Sequence, residues 1–438
     1  MNDYWLAAPE IFLAGAICLV LLIDVFLRSE QRQVTYLLAM LSLVGVALVS
    51  VFAGNQQPAV TFSGSFISDP AGGALKLMAY VIVALVFLYS RNYLEEHKLF
   101  KGEFFVLALF GLLGIMVMIS AHSMLTMYLG LELLSLSLYA LVAFNRDSAV
   151  AAEAAMKYFV LGAIASGTLL YGISLLYGVT GTLEFSELAQ RLTGDVGLSL
   201  PAALGLVLVV VGVAFKFGAV PFHMWLPDVY EGAPTPVTLF VGSAPKIAAF
   251  ALSWRVLVEA LAPMQASWQG MLIILCVLSL VIGNIVAIAQ TNLKRMLAYS
   301  TISHVGFILM GFIAGSEEGI EAAMFYTMTY TLMAAAAFGM IIVLSRKGFE
   351  AERLEDFRGL NQRSPWFALM MLLIMFSMAG VPPLVGFYAK LSVLSSLIGA
   401  DLVWLAIVGV VLAVVGAFYY LRVVWYMYFA DPVDVAPL

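Results

Sequence analysis

From residue 5 to residue 429 the sequence is a succession of apolar runs, each about 20 residues long, separated by short polar stretches. A helix rises about 1.5 Å per residue, so a run of this length matches the roughly 30 Å hydrocarbon core of a bilayer. The runs are continuous. A membrane β-barrel would show alternation over about 10 residues instead. Read with a window of about 19 residues, they fall near 5–27, 34–53, 71–90, 103–121, 123–145, 158–178, 200–226, 237–261, 268–289, 296–314, 321–344, 366–398 and 402–429. Composition agrees: 63% of the 438 residues are hydrophobic and 11% charged, against roughly 25% charged in soluble domains. An all-α polytopic membrane protein of about thirteen spans is expected.

Loop charge tests the count. Arg and Lys cluster after the odd-numbered spans, at Arg28 and Arg32, at Arg91, Lys98 and Lys101, at Arg146, at Lys294 and Arg295, and from Arg346 to Arg363. After the even-numbered spans only Arg191 is found. The positive-inside rule then places the odd-to-even loops in the cytoplasm and the N-terminus outside. The opening "MNDYWLAAPE" has Asp3 and Glu10 and no basic patch, so the first run is expected to stay as an anchor. Cys18 and Cys276 are the only cysteines, too few for a cysteine-ligated iron–sulfur or zinc site in this chain. No phosphate-cradling loop, dinucleotide fingerprint or nucleophile elbow is present. Neither nucleotide nor nucleic-acid binding is expected.

Two spans, 200–226 and 366–398, are longer than a bilayer needs and carry proline inside: Pro221, and the pair Pro382–Pro383. Each is fourth in a group of five spans. Five is odd, so a second copy of the group must lie upside down, and an inverted repeat with one discontinuous helix per half is a transporter signature. The expected organisation is an N-terminal three-helix segment over 1–102, a first five-helix repeat over 103–266, a second over 267–430, and a tail over 431–438.

Within the apolar runs sit Glu132, Lys216, Lys246, His304 and Lys390. A Lys or Asp at a helix centre costs roughly 2.5–3.5 kcal/mol on insertion scales. Structural ion pairs are the bland alternative, but here lysines outnumber carboxylates. Proline removes an intrahelical donor and crowds a carbonyl, and the freed carbonyls need water or a polar partner. Lys216 precedes the Pro221 break and Lys390 follows the Pro382–Pro383 break, so both are candidate proton sites beside a wet spot. Opposite charges 4 Å apart at an effective dielectric of about 20 interact by about 4 kcal/mol. A carboxylate that approaches or withdraws therefore changes how firmly a lysine holds its proton, and Glu132 is the candidate partner. Lys246 and His304 are candidate relays, with snorkelling and a satisfied core histidine as the respective alternatives. His223 lies just past Pro221 and is positioned to cap the break. Lys157, four residues after Glu153, is either an ordinary intrahelical pair or a relay residue. His122 reads as part of a tight turn, and His97, Lys98, Lys101 and Glu103 as a solvated loop.

The stretches "KFGAVPFHMWLPDVYEGAPTPVT" and "LKRMLAYSTISHVGF" closely resemble the antiporter-like membrane subunits of respiratory complex I, and "YEGAPTPVTLFVGSAPKIAAF" looks like the branch of N subunits, the counterparts of mitochondrial subunit 2. The likeness runs over essentially the whole chain. It implies inverted five-helix repeats, each with a proton half-channel. Glu132 matches the family's fifth-helix glutamate and Lys216 the lysine of its broken seventh helix. Lys246 matches the eighth-helix lysine, and Lys390 the lysine of the broken twelfth, where a close relative carries glutamate. His223 and His304 match polar positions on a central hydrated axis, and Lys157 a sixth-helix basic position. The resemblance further implies a bacterial inner-membrane location, other membrane subunits as partners, and FMN, iron–sulfur clusters and quinone on subunits other than this one. Such members have fourteen helices, one more than the thirteen runs counted; the family continues to a last hydrophobic span where this sequence reaches "ADPVDVAPL". A multisubunit cation/proton antiporter and a hydrogenase-linked membrane complex share the pattern and stand as alternatives. An inert structural subunit, whose charges only hold helices together, is a third.

Overall fold

The computed structural model describes residues 3–54, 57–346 and 349–432. Lys347 of the basic loop and residues 433–438 of the expected tail lie outside the described residues. Among the described residues twelve helices are long and apolar enough to cross a membrane. In chain order they are Ala8–Phe26, Gln33–Ala53, Pro70–Glu96, Gly102–Ser120, Met124–Val142, Ala149–Thr180, Leu200–Phe217, Thr235–Ala260, Ala262–Ala289, Leu293–Ala314, Glu317–Leu344 and Val403–Tyr428. Two shorter apolar helices, Pro365–Ala379 and Val385–Gly399, together form the twelfth of thirteen spans, and Val403–Tyr428 is the thirteenth. Each expected run is a helix, so the all-α polytopic architecture holds.

The boundaries shift where polar residues extend a helix beyond the apolar stretch. The sixth span starts at Ala149, not near 158, because Ser148 caps it by accepting a hydrogen bond from the Ala151 N–H. Lys157 is therefore the ninth residue of that helix rather than near its start. The seventh span ends its first helix at Phe217 and resumes as Trp225–Gly232. The eighth is interrupted too, which the prolines at 221, 382 and 383 did not foretell: Thr235–Gly242 stops at Ser243, whose φ and ψ are -116° and -83°, and Ala244–Ser253 then runs into a π-helical turn, Trp254–Ala260.

The chain forms two compact units, the first of Met1–Val213 and Ala244–Trp268, the second of Ala214–Ser243 and Gln269–Leu438. In the first, spans four and five touch along their backbones. A Cβ on Gly114 would meet Gly130 O at 2.7 Å, and one on Gly130 would meet Met118 N at 2.9 Å; glycine at both positions lets the helices close. A small hairpin, β1 (Ala59–Thr61) paired with β2 (Phe66–Ser68) in the register Val60↔Ile67, precedes the third span. At one end of this unit the stretches after spans two, four and six meet: Phe66 bridges Ala121, and Ser123 bridges Glu184. In the second unit stretches after odd-numbered spans meet instead. Asn292, after span nine, bridges Arg353, after span eleven, and Lys294 Nζ donates to Ala233 O, after the seventh. Parity of the span count is thus visible in each unit taken alone.

Large side chains such as Leu22, Phe26, Leu41, Phe52, Ile164 and Val414 are exposed. On a chain of membrane-spanning helices such surfaces suit contact with lipid or with neighbouring membrane subunits. The tenth span, Leu293–Ala314, is the opposite case, with 94% of its apolar window buried.

Candidate proton-transfer sites at two broken helices

The helix Leu200–Phe217 stops because Gly218 takes a left-handed conformation, φ 76°. A Cβ there would lie 2.4 Å from Leu226 Cδ1, so both backbone and space call for glycine. The Val220–Pro221 peptide is cis. The groups released by the break find partners at once. Phe215 O accepts from the Gly218 N–H at 3.0 Å and from the Trp225 indole N–H at 3.1 Å. Val220 N–H donates to Ser279 Oγ at 2.9 Å. Helix resumes at Trp225. His223 lies inside the break and caps it through its main chain, its carbonyl accepting from the Leu226 N–H at 2.9 Å. Lys216 occupies the last turn before the break and is half-buried.

The second break is built the same way. Pro365–Ala379 ends at Gly380, φ 86°, which caps back to Phe376 O and Ser377 O, both at 3.0 Å. The Pro382–Pro383 peptide is cis and helix resumes at Val385. Gly386 lets the two halves touch: a Cβ there would fall 1.9 Å from Ser377 O. Lys390 then reaches back. Its Nζ donates to Met378 O at 3.0 Å and Ala379 O at 2.8 Å, the last carbonyls of the first half-helix. These are orphan acceptors at a helix C-terminus, where the dipole favours a cation. Gly380 makes room for the lysine stem, since a Cβ would meet Lys390 Cδ at 2.9 Å. The amine also lies 5.2 Å from the centre of the Phe307 ring. Lys390 is buried, 9% exposed.

His304 is buried in the tenth span between two phenols, with Nδ1 2.7 Å from Tyr326 Oη and Nε2 3.0 Å from Tyr420 Oη. Tyr420 also bonds Ser300 Oγ, and Thr301 Oγ1 lies 2.7 Å from Tyr330 Oη. Tyr326, His304, Tyr420 and Ser300 thus form a buried hydrogen-bonded chain, with the Thr301–Tyr330 pair beside it. Glu132 is half-buried on the fifth span and accepts from Ser166 Oγ, a hydroxyl that also lies 3.2 Å from Tyr128 Oη. Lys246 is 1% exposed, so it does not snorkel, and it stands three residues past the Ser243 interruption. Lys157 is exposed and pairs with Glu153 at 2.9 Å. Glu132, Lys157 and Lys246 belong to the first unit; Lys216, His223, His304 and Lys390 belong to the second.

Three buried or half-buried charge groups escaped the sequence reading. Lys294 and Arg295 count there as loop charges. Instead they open the tenth helix: Lys294 is 3% exposed and lies 3.8 Å from Glu352 Oε2, while Arg295 Nη1 reaches Asp228 at 2.9 Å and Glu231 at 2.8 Å. They clamp the segment that resumes after the first break. The available signal was the stretch after the seventh span, which carries Asp228 and Glu231 and no Lys or Arg. Lys76 and Glu10 form a buried pair at 2.5 Å in the N-terminal helices, signalled only by each lying within an apolar run. Arg255 is 1% exposed and binds Asp69 and Glu259.

Amines seated at broken helices, on a chain of thirteen spans, are the mark of an antiporter-like membrane protein. Residues 121–416 match the family model described as NADH:quinone oxidoreductase/Mrp antiporter, transmembrane. The chain is 60% identical to NADH-quinone oxidoreductase subunit N of Thioalkalivibrio sulfidiphilus over 437 residues, covering 100% of this chain and 91% of that protein. Its fold matches a chain of respiratory complex I from Thermus thermophilus with bound aureothin at TM-score 0.83 and 32% identity, over 97% of this chain and 91% of that one. It also matches a chain of the Mrp complex from a Dietzia species at TM-score 0.87 and 21% identity, over 100% and 82%, a likeness of fold alone. The chain belongs to the NADH:quinone oxidoreductase/Mrp antiporter family and, within it, to the subunit N group.

Proposed function

We propose that this chain is a proton-translocating membrane subunit of an NADH:quinone oxidoreductase, in which Lys390 and Lys216 alternately hold and release a proton beside the two helix breaks. The observation that carries the reading is Lys390: its buried amine is held by the very carbonyls that the break sets free. Main-chain carbonyls hold an ammonium without a fixed counter-charge, so the amine has partners when charged and, among the described residues, no carboxylate that locks it so. Lys246 and His304 relay between buried positions, His223 lines the first break, and Glu132 is the charge that shifts. Drive reaches the chain as an electrostatic change from neighbouring membrane subunits, through Glu132 or the exposed Lys157. Moving each charge against 100 mV costs about 2.3 kcal/mol, which redox chemistry on other subunits supplies; FMN, iron–sulfur clusters and quinone are assigned to those. The organisation we favour is the three-helix segment 1–102 followed by inverted repeats over 103–266 and 267–430. The membrane is the bacterial inner one, and the loop-charge bias supports an N-terminus on the periplasmic side.

The test is proton pumping per NADH oxidised by the assembled complex in proteoliposomes. Lys216→Met and Lys390→Met are expected to assemble and lose most pumping. A scaffold role predicts failed assembly instead. Retained pumping in both would refute the proposal, and sodium-dependent transport by the isolated chain would favour the antiporter reading.

A further inference from the structure

The turn Ala121–Ser123 between the fourth and fifth spans gathers ionisable groups that the reading above does not use. It is pinned from both sides by main-chain bonds. His122 N–H donates to Ser65 O at 3.1 Å, and His122 O accepts from the Phe185 N–H at 3.1 Å. The main chain at His122 is therefore fixed, and the residue is buried, 7% exposed. Its Nε2 lies 3.0 Å from Glu184 Oε1 and 2.9 Å from Ser186 Oγ. Its Nδ1 faces Glu259 Oε2 at 4.0 Å. Neither of those two buried atoms has a hydrogen-bond partner among the described residues. Glu259 is anchored by its other oxygen, which accepts from Arg255 Nη1 at 2.6 Å. Arg255 in turn binds Asp69, which caps the third span, and Ile119 O at 3.2 Å.

The groups facing the ring are thus Glu184, which caps the helix Phe185–Arg191, Ser186 from that helix, Glu259 and Arg255 from the π-helical turn, and Asp69 beyond Arg255. With Nε2–H donated to Glu184, Nδ1 and Glu259 Oε2 are two acceptors opposed across a gap with no donor between them. Three carboxylates against one guanidinium leave the cluster net negative while the ring is neutral. Geometry and charge both call for one more proton.

We propose that His122 and Glu259 form a proton-holding station at the outer end of the first unit, which passes a proton through the imidazole to Glu184 and the aqueous side. The proposal rests on the proton-translocating reading above. In the step, the Glu259 Oε2–H bond breaks as Nδ1–H forms, and Nε2–H breaks as the Glu184 carboxyl takes a proton and then loses it to water. A flip of the ring about the Cβ–Cγ bond then turns Nδ1–H toward Glu184 and the bare Nε2 toward Glu259, and the next proton, taken up at Nε2 as Nδ1–H is given to Glu184, restores the starting tautomer. Transfer needs about 2.6–3.2 Å, so Glu259 must swing in while its other oxygen stays on Arg255. Burial pushes the His122 imidazole below its ordinary value, with the Glu184 carboxylate opposing and Arg255 adding to the effect; the ring starts neutral and able to accept. Burial raises the Glu184 carboxyl, but the Glu187 and Ser186 donors and His122 outweigh it and leave it below its ordinary value, ready to release.

The test uses the assembled complex in proteoliposomes. His122→Gly is expected to lower the pumping rate at least twofold, and added imidazoles to restore it in an order that follows their own pKa. Rescue independent of that pKa would mean cavity filling, and unchanged pumping would mean a spectator; either overturns the station. If His122→Gly fails to assemble, Glu259→Gln, whose amide oxygen keeps the Arg255 bond, carries the test with the same expected loss. Lys390→Arg is run alongside. If it abolishes pumping while the station variants pump normally, only the station falls; if it too pumps normally, the underlying translocation reading falls.

Discussion

The two broken helices share a backbone device and differ in what fills it. At both, a glycine with positive φ ends the first half-helix and a cis proline peptide turns the chain. At the seventh span the released groups are met by the Trp225 indole and the Ser279 hydroxyl, and Lys216 waits half-buried on the near side. At the twelfth the lysine itself is the partner, its amine inserted onto Met378 O and Ala379 O. The difference teaches that a proline break does not by itself make a proton site. It makes acceptors, which a titratable amine can take directly, as Lys390 does, or which an inert donor can take close to one, as the Trp225 indole does near Lys216.

Substitutions at matched positions sharpen this comparison. Gly380→Ala is expected to have the largest effect. A left-handed L-residue costs roughly 1–2 kcal/mol, and the added Cβ, 2.9 Å from Lys390 Cδ, displaces the amine as well. Pumping per NADH should fall several-fold in complexes that still assemble. Gly218→Ala carries a similar backbone cost, but its Cβ meets Leu226, 2.4 Å away. It should lower thermal stability in detergent while sparing pumping in the complexes that remain folded. Equal pumping losses at the two glycines would erase the distinction. Ser279→Ala leaves the buried Val220 N–H unmet at roughly 1–3 kcal/mol, again a stability effect read by thermal unfolding. Smallest of all, Glu153→Gln removes an exposed ion pair worth at most about 0.5 kcal/mol; a larger shift in melting temperature would show that the pair is not a solvated one.

Much of this was legible in the residues. Hydropathy located every span, and Pro221, Pro382 and Pro383 marked two of the three interruptions. The third, at Ser243, had a signal as well: Pro245 in "GSAPK" cannot donate to Val241 O, the carbonyl four residues back. The partners were not legible. Lys390 binds main-chain carbonyls, which every residue carries. Glu10 and Lys76 are 66 positions apart in a chain where only the fold brings helices together. Lys294 and Arg295 follow a polar stretch exactly as loop charges do, and only the return of Asp228 and Glu231 shows them bound. His122 looked like a turn residue because its three acidic neighbours, Glu184, Glu259 and Asp69, come from distant segments.

The account turns on whether the amine at the twelfth-span break must let go of its proton. Arginine can keep the cation and donate to the same two carbonyls but does not deprotonate in proteins. Proton pumping and NADH oxidation measured together on the assembled Lys390→Arg complex therefore separate holding from releasing. The account predicts a complex that assembles and has lost most of its pumping. Pumping at the normal ratio to NADH would contradict it and leave Lys390 as a fixed structural cation.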